Sequence, residues 1–147
     1  MGKLTFVTGN KNYSSWSMRP WLALCATRAP FEEIVVPLYV PGYKARLLEL
    51  SPAGKVPILK QDERVIWDSL AICEFLAEQF PQARLWPEET QARTLARVIS
   101  AEMHSGFTAI RSSMPFNCRA TGRRIQTSAE LETEIMRVQA IWRECRT

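Results

Sequence analysis

The sequence predicts an α/β domain over residues 1–80, ordered βαβαββα, then an all-α segment over 90–147, with residues 81–89 as the linker. Three observations carry this prediction. Short β-branched runs alternate with stretches of helical apolar spacing as far as Phe80. From Pro81 to Glu89 two prolines and polar neighbours interrupt both periodicities. Beyond that interruption only helical spacing recurs.

Leu4-Thr5-Phe6-Val7-Thr8 is a β-rich run ended by Gly9-Asn10, and apolar residues from Trp16 to Ala29 follow at helical spacing. Pro20 fits the first turn of that helix, where a missing N–H removes no bond. Phe31 to Val36 is the second strand, with β-branched Ile34, Val35 and Val36. After Pro41-Gly42, Lys44 to Leu50 reads as a short helix closed by the turn Ser51-Pro52-Ala53-Gly54. Val56 to Leu59 and Val65 to Trp67 form a hairpin around the charged turn Lys60 to Arg64. Ser69 to Phe80 is the last helix of a domain read as two layers. In the all-α part, Leu95, Val98, Ile99, Met103, Phe107 and Ile110 describe one long amphipathic helix, and Leu131, Ile135, Val138 and Ile141 a second. Thr127 with Glu130 forms a capping box ahead of the second.

A composition of 46% hydrophobic, 10% aromatic and 23% charged residues supports a packed core and excludes a disordered chain. The net charge of +4 is mild. Nine basic and eight acidic residues lie up to Phe80 and ten and seven beyond it, without aromatic interleaving, so nucleic acid is not expected as a partner. Cys25, Cys73, Cys118 and Cys145 match neither a metal knuckle nor a C-x-x-C pair. No metal and no disulfide are expected, and Cys25 and Cys73 read as small buried hydrophobes on helix faces. No stretch resembles a signal core or a bilayer span, so no membrane association is expected and the reducing cytoplasm is the natural setting.

Three motifs choose among functions. Asn12-Tyr13-Ser14-Ser15-Trp16-Ser17-Met18-Arg19-Pro20 follows the first strand, Ser51-Pro52-Ala53-Gly54-Lys55-Val56-Pro57 precedes the third, and Trp67-Asp68-Ser69-Leu70-Ala71-Ile72 opens the last helix of the domain. In this order and spacing they resemble the thioredoxin-like N-terminal domain of the glutathione S-transferase family, with a serine-type loop similar to the zeta class. The resemblance implies glutathione as co-substrate, a small electrophilic substrate, conjugation or glutathione-dependent isomerisation, and a homodimer. Family members continue through several more helices, so it also implies a helical domain represented here by its first two. The alternative is a related binding or regulatory protein without turnover.

The first motif is suited to thiol chemistry. A thiolate is the nucleophile, and a hydroxyl at a helix N-terminus favours it by hydrogen bonding while the helix dipole adds positive potential. Ser14, five residues before Arg19, is the position that resembles the serine-type members, with Ser15 as a second donor. Tyr13 is the rival, Ser17 another hydroxyl of the same loop, and Ser14 or Ser15 can equally be a helix cap. The loop has no cysteine for thiol exchange. Trp16 reads as a packing residue or pocket wall. The resemblance further implies a cis Val56-Pro57 bond that presents the Val56 backbone to the cysteinyl part of glutathione, and an Asp68-Ser69 helix start that meets the γ-glutamyl carboxylate. Lys44 and Lys55 are candidates for the other carboxylate. His104, the lone histidine, receives no role, and Arg111 on the same predicted helix is a candidate for the electrophile side.

Overall fold

In a computed structural model describing residues 2–146, four strands form one sheet: β1 (Leu4–Thr8), β2 (Phe31–Val35), β3 (Ile58–Gln61) and β4 (Arg64–Trp67). Their order is β2-β1-β3-β4, with β1 parallel to β2 and antiparallel to β3, and β3 antiparallel to β4. The parallel pair needs a crossover, which helix α1 (Ser15–Thr27) supplies; the antiparallel pair β3 and β4 needs only the turn at Asp62-Glu63.

Successive strand residues point to opposite faces, so the apolar run of β1 serves two cores. Leu4 and Phe6 pack with Leu24 of α1, Leu59 of β3, and Ile72 and Leu76 of helix α3 (Ser69–Gln79). Val7 packs on the other side with Ile58 and with Leu47 and Leu50 of helix α2 (Tyr43–Leu50). The βαβαββα order stands as predicted. The two-layer reading does not: α2 covers the second face, which the apolar residues Val7, Ile58 and Val36 require.

Three local predictions need correction. Helix α1 starts at Ser15, so Pro20 lies in its interior; it is buried there, and the Trp16 carbonyl forgoes its usual helical partner. The buried positions Ser17, Pro20, Leu24 and Thr27 of α1 follow the helical period, which turns the adjacent Cys25 outward to solvent. The second helix of the all-α part is capped by Ser128, whose hydroxyl accepts from the Leu131 amide, and Thr127 is outside it.

The all-α part contains α4 (Thr90–Ser105), α5 (Thr108–Ser113) and α6 (Ala129–Glu144), three helices where two were read. The long stripe from Leu95 to Ile110 is broken at Gly106-Phe107, with Phe107 at φ +62°. Side chains take over the bonds that would have continued the helix. The Arg111 guanidinium donates to the carbonyls of Gly106 and Met103, and Glu134 on α6 accepts from the Ile110 amide at 2.8 Å. Between α3 and α4, Pro81–Ala83 forms a single 3-10 turn inside the expected linker. Among the described residues no helix is long and apolar enough to cross a membrane.

Candidate active site

The C-terminal end of β1 and the N-terminus of α1 place the first motif at the mouth of a cleft. Ser14 is the cap of α1: its Oγ accepts from the Ser17 amide at 3.3 Å and donates to Ser17 Oγ at 2.8 Å. A serine is favoured at this position because the first amides of a helix lack intrahelical partners. A hollow of about 610 Å³ opens beside it, with Tyr13, Ser14, Trp16, Lys44, Lys55 and Val56 in its wall. Ser15, half-buried at the first helical position, is not among the residues of that wall.

A second hollow of about 640 Å³ adjoins the first, sharing Trp16, Lys55 and Val56 and adding Pro57, Asp68 and Ser69. Val56-Pro57 is cis. Asp68 caps α3 from φ +76°, its Oδ1 accepting from the amides of Leu70 and Ala71 at 2.9 and 3.3 Å. Such a backbone conformation is uncommon for a non-glycine residue and is held here by the cap and by its surroundings. Ser69 follows, 2% exposed, with a hydroxyl that has no hydrogen-bond partner within the protein. A buried hydroxyl left unpaired costs about 1–3 kcal/mol, so Ser69 suits a polar ligand atom in this hollow. All three motifs therefore meet at one cleft.

One cluster was not legible in the sequence. His104 Nε2 lies 3.2 Å from Asp68 Oδ2, and the His104 ring meets Trp16 edge-on at 5.3 Å. The guanidinium groups of Arg19 and Arg111 lie 4.3 and 4.6 Å from the Trp16 ring centre. Burial holds the Arg19 guanidinium below its ordinary pKa, the charge on Arg111 lowers it further, and Cys73 and Asp68 oppose the shift. The electron-rich ring offsets part of the repulsion between two cations. Trp16 is thus a wall of the cleft and also its link to α4 and α5, and Arg111 turns toward that wall. No spacing rule could have paired Asp68 with His104, which are brought together only by the packing of α4 on α3.

Residues 13–79 match the family model of the glutathione S-transferase N-terminal domain. A probable maleylacetoacetate isomerase of Caenorhabditis elegans is 39% identical over 94 residues, covering 64% of this chain and 44% of the relative. The maleylacetoacetate isomerase of Rattus norvegicus is 33% identical over 109 residues, covering 72% and 50%. Residues 13–79 are thus a glutathione S-transferase N-terminal domain.

Among solved glutathione S-transferase structures, a glutathione transferase homolog from Burkholderia GL BGR1 with bound glutathione superposes with a TM-score of 0.65 at 27% identity, covering 76% of this chain and 62% of that one. The omega 2S glutathione transferase of Trametes versicolor, at 20% identity and a TM-score of 0.71, shares the fold over 95% of this chain and 62% of its own. The chain spans about half the length of the curated relatives it matches. The thioredoxin-like N-terminal domain followed by a helical region is the fold of the family.

Proposed function

We propose that this chain binds glutathione and activates its thiol, with Ser14 as the hydroxyl that stabilises the thiolate, for conjugation to a small electrophile or for glutathione-dependent isomerisation. The observation that carries the reading is Ser14 Oγ: buried, fixed at a helix N-terminus, and in the wall of a cleft whose far side holds an unpaired buried hydroxyl at Ser69.

Each part of the peptide has a partner of suitable chemistry. The γ-glutamyl carboxylate accepts from the Ser69 hydroxyl and from the Ser69 amide, which the Asp68 carboxylate does not occupy. The Val56 backbone pairs with the cysteinyl residue in β-fashion, and Lys44 and Lys55 face the glycine carboxylate. The sulfur then lies at Ser14. A hydrogen bond from the hydroxyl and the positive end of α1 both favour the anion over the thiol, which raises the fraction of nucleophile at neutral pH. The electrophile enters beside Tyr13 and Trp16. The isomerase names of two relatives make maleylacetoacetate one substrate to assay. A homodimer in a reducing, cytoplasmic setting completes the reading, since free glutathione is kept reduced there.

Turnover of an aromatic electrophile and of maleylacetoacetate by wild type and Ser14→Ala tests the proposal. Ser14→Ala should retain glutathione affinity and lose about 10- to 100-fold in kcat/KM, the worth of one hydrogen bond to a charged group. Unchanged activity would move the role to another hydroxyl of the loop. Glutathione binding without turnover of any electrophile would make the chain a binding protein.

A further inference from the structure

The hydroxyl at the mouth of the cleft is engaged from behind. Ser14 Oγ lies 2.8 Å from Ser17 Oγ and accepts the Ser17 amide at 3.3 Å. Ser17 Oγ in turn accepts the amide of Gly9, just past β1, at 3.3 Å. Ser17 is 1% exposed, so these partners are held within the protein. Two hydroxyl oxygens at this distance can share either proton, because each group both donates and accepts. With the Ser14 proton directed at Ser17, Ser14 has none to give a sulfur. With the bond reversed, Ser14 accepts twice and its own proton faces the cleft.

We propose that Ser17 is a positioning residue that donates its hydroxyl proton to Ser14 Oγ when glutathione binds, and so commits the Ser14 proton to the thiolate. The inference rests on Ser14 being the thiolate partner. Gly9 N–H, Ser17 O–H and Ser14 O–H then point in one direction, toward the sulfur, and each donor is polarised by the one behind it. The bond broken is the thiol S–H, whose proton leaves to solvent. Ser14 and Ser17 each keep one proton throughout. The cap needs only the Ser14 oxygen and the Ser17 amide, so the Ser17 hydroxyl is the part of the arrangement that the cap leaves without a task.

The experiment titrates the ultraviolet thiolate absorbance of bound glutathione in wild type, Ser14→Ala, Ser17→Ala, Ser17→Val and Ser17→Thr. A hollow of about 240 Å³ beside Ser17, walled by Thr8, Met18 and Trp21, gives the branched side chains room. Ser17→Ala and Ser17→Val should raise the bound thiol pKa by about one unit, which is about a tenfold lower ratio of thiolate to thiol at any given pH. Ser17→Thr should restore the wild-type value, and affinity for S-methylglutathione should be the same in all Ser17 variants. A wild-type thiol pKa in Ser17→Val, alongside a raised one in Ser14→Ala, overturns the role of Ser17 alone. An unmoved pKa in Ser14→Ala overturns the parent reading. If the Ser17 variants fail to fold, the Gly9 amide resonance of the wild-type chain decides. It should shift with the thiol titration in glutathione and stay still in S-methylglutathione, and a Gly9 amide indifferent to the thiol overturns the inference.

Discussion

Tyr13 and Ser14 are neighbours in sequence with opposite surroundings: the tyrosine is 60% exposed and the serine 9%. An exposed phenol is free to rotate and is solvated, so its proton is not reserved for a ligand. Tyr13→Phe should therefore leave kcat/KM with glutathione within about twofold of wild type, a change below about half a kcal/mol. A loss as large as that of Ser14→Ala would reverse the assignment. Cys73 differs from the three exposed cysteines in the same way. Burial against Arg19 and Ser69 pushes its thiol from 9.0 up to about 11, with Glu74 and Asp68 adding to the rise and Arg19 opposing it. A thiol raised on folding stays protonated in the native state where the unfolded chain has already ionised. Its contribution to stability is thus complete below about pH 9 and lost as pH climbs toward about 11. The melting temperature of wild type should fall more steeply than that of Cys73→Ala over this window. At neutral pH iodoacetamide should modify Cys25, Cys118 and Cys145 before Cys73.

At the scale of elements, α3 begins with a device that serves stability and the cleft together. Asp68 accepts two amides of the first turn with one carboxylate oxygen and faces His104 with the other. Asp68→Ala removes both, and a lost cap costs about 1 kcal/mol, so a lower denaturation midpoint and weaker glutathione binding are expected together. Asp68→Asn keeps an accepting oxygen and tolerates positive φ, and should recover most of the stability. Equal midpoints for alanine and asparagine would remove the cap from the account. The order of β1, β2, α2 and α3, and their ends to within one residue, were legible because their determinants are local: alternation, β-branching, and turn residues such as Ser51-Pro52-Ala53-Gly54. The place of Pro20 in α1 was misjudged: it was read as a first-turn residue, whereas Ser14, one of the two caps the sequence offered, starts the helix well before it. The break at Gly106-Phe107 was invisible for a different reason. The partners that satisfy the backbone there are a carboxylate 24 residues from Ile110, Glu134, and a guanidinium that folds back onto the preceding helix. Likewise the three motifs of the cleft could be read from order and spacing, while the His104 contact depends on packing that no window of sequence contains.

At the scale of the molecule, the helical part is joined to the α/β domain partly through contacts at the cleft wall and partly through contacts away from it. Besides Trp16 with Arg111 and His104 with Asp68, the Asn12 side chain donates to Asn117, the Cys118 amide donates to the Asn12 carbonyl, and Arg97 approaches Glu74 at 3.8 Å. The bidentate pair of Arg137 and Glu102, with both bonds at 2.7 Å, holds α6 to α4 but is exposed and so weakened by salt. Arg111 is therefore central: one guanidinium closes the end of α4 and also lies against the cleft wall. Arg111→Ala should free the carbonyls of Met103 and Gly106 and loosen α5 and α6 ahead of the sheet, because the two apolar cores of the α/β domain do not include this side chain. Limited proteolysis followed by mass spectrometry should then find new cleavage between α4 and α5 while residues of β1 and β3 stay protected. Glutathione affinity should fall by no more than about threefold, the small change expected for a residue that touches only the wall, and the KM for the electrophile should rise. Arg111→Lys keeps a charge but lacks the planar fork that spans two carbonyls and stacks on the ring, so it should behave like alanine in the proteolysis and not like wild type. A cleavage pattern identical to wild type in both variants would mean that Trp16 and the helical part are coupled by the other contacts alone.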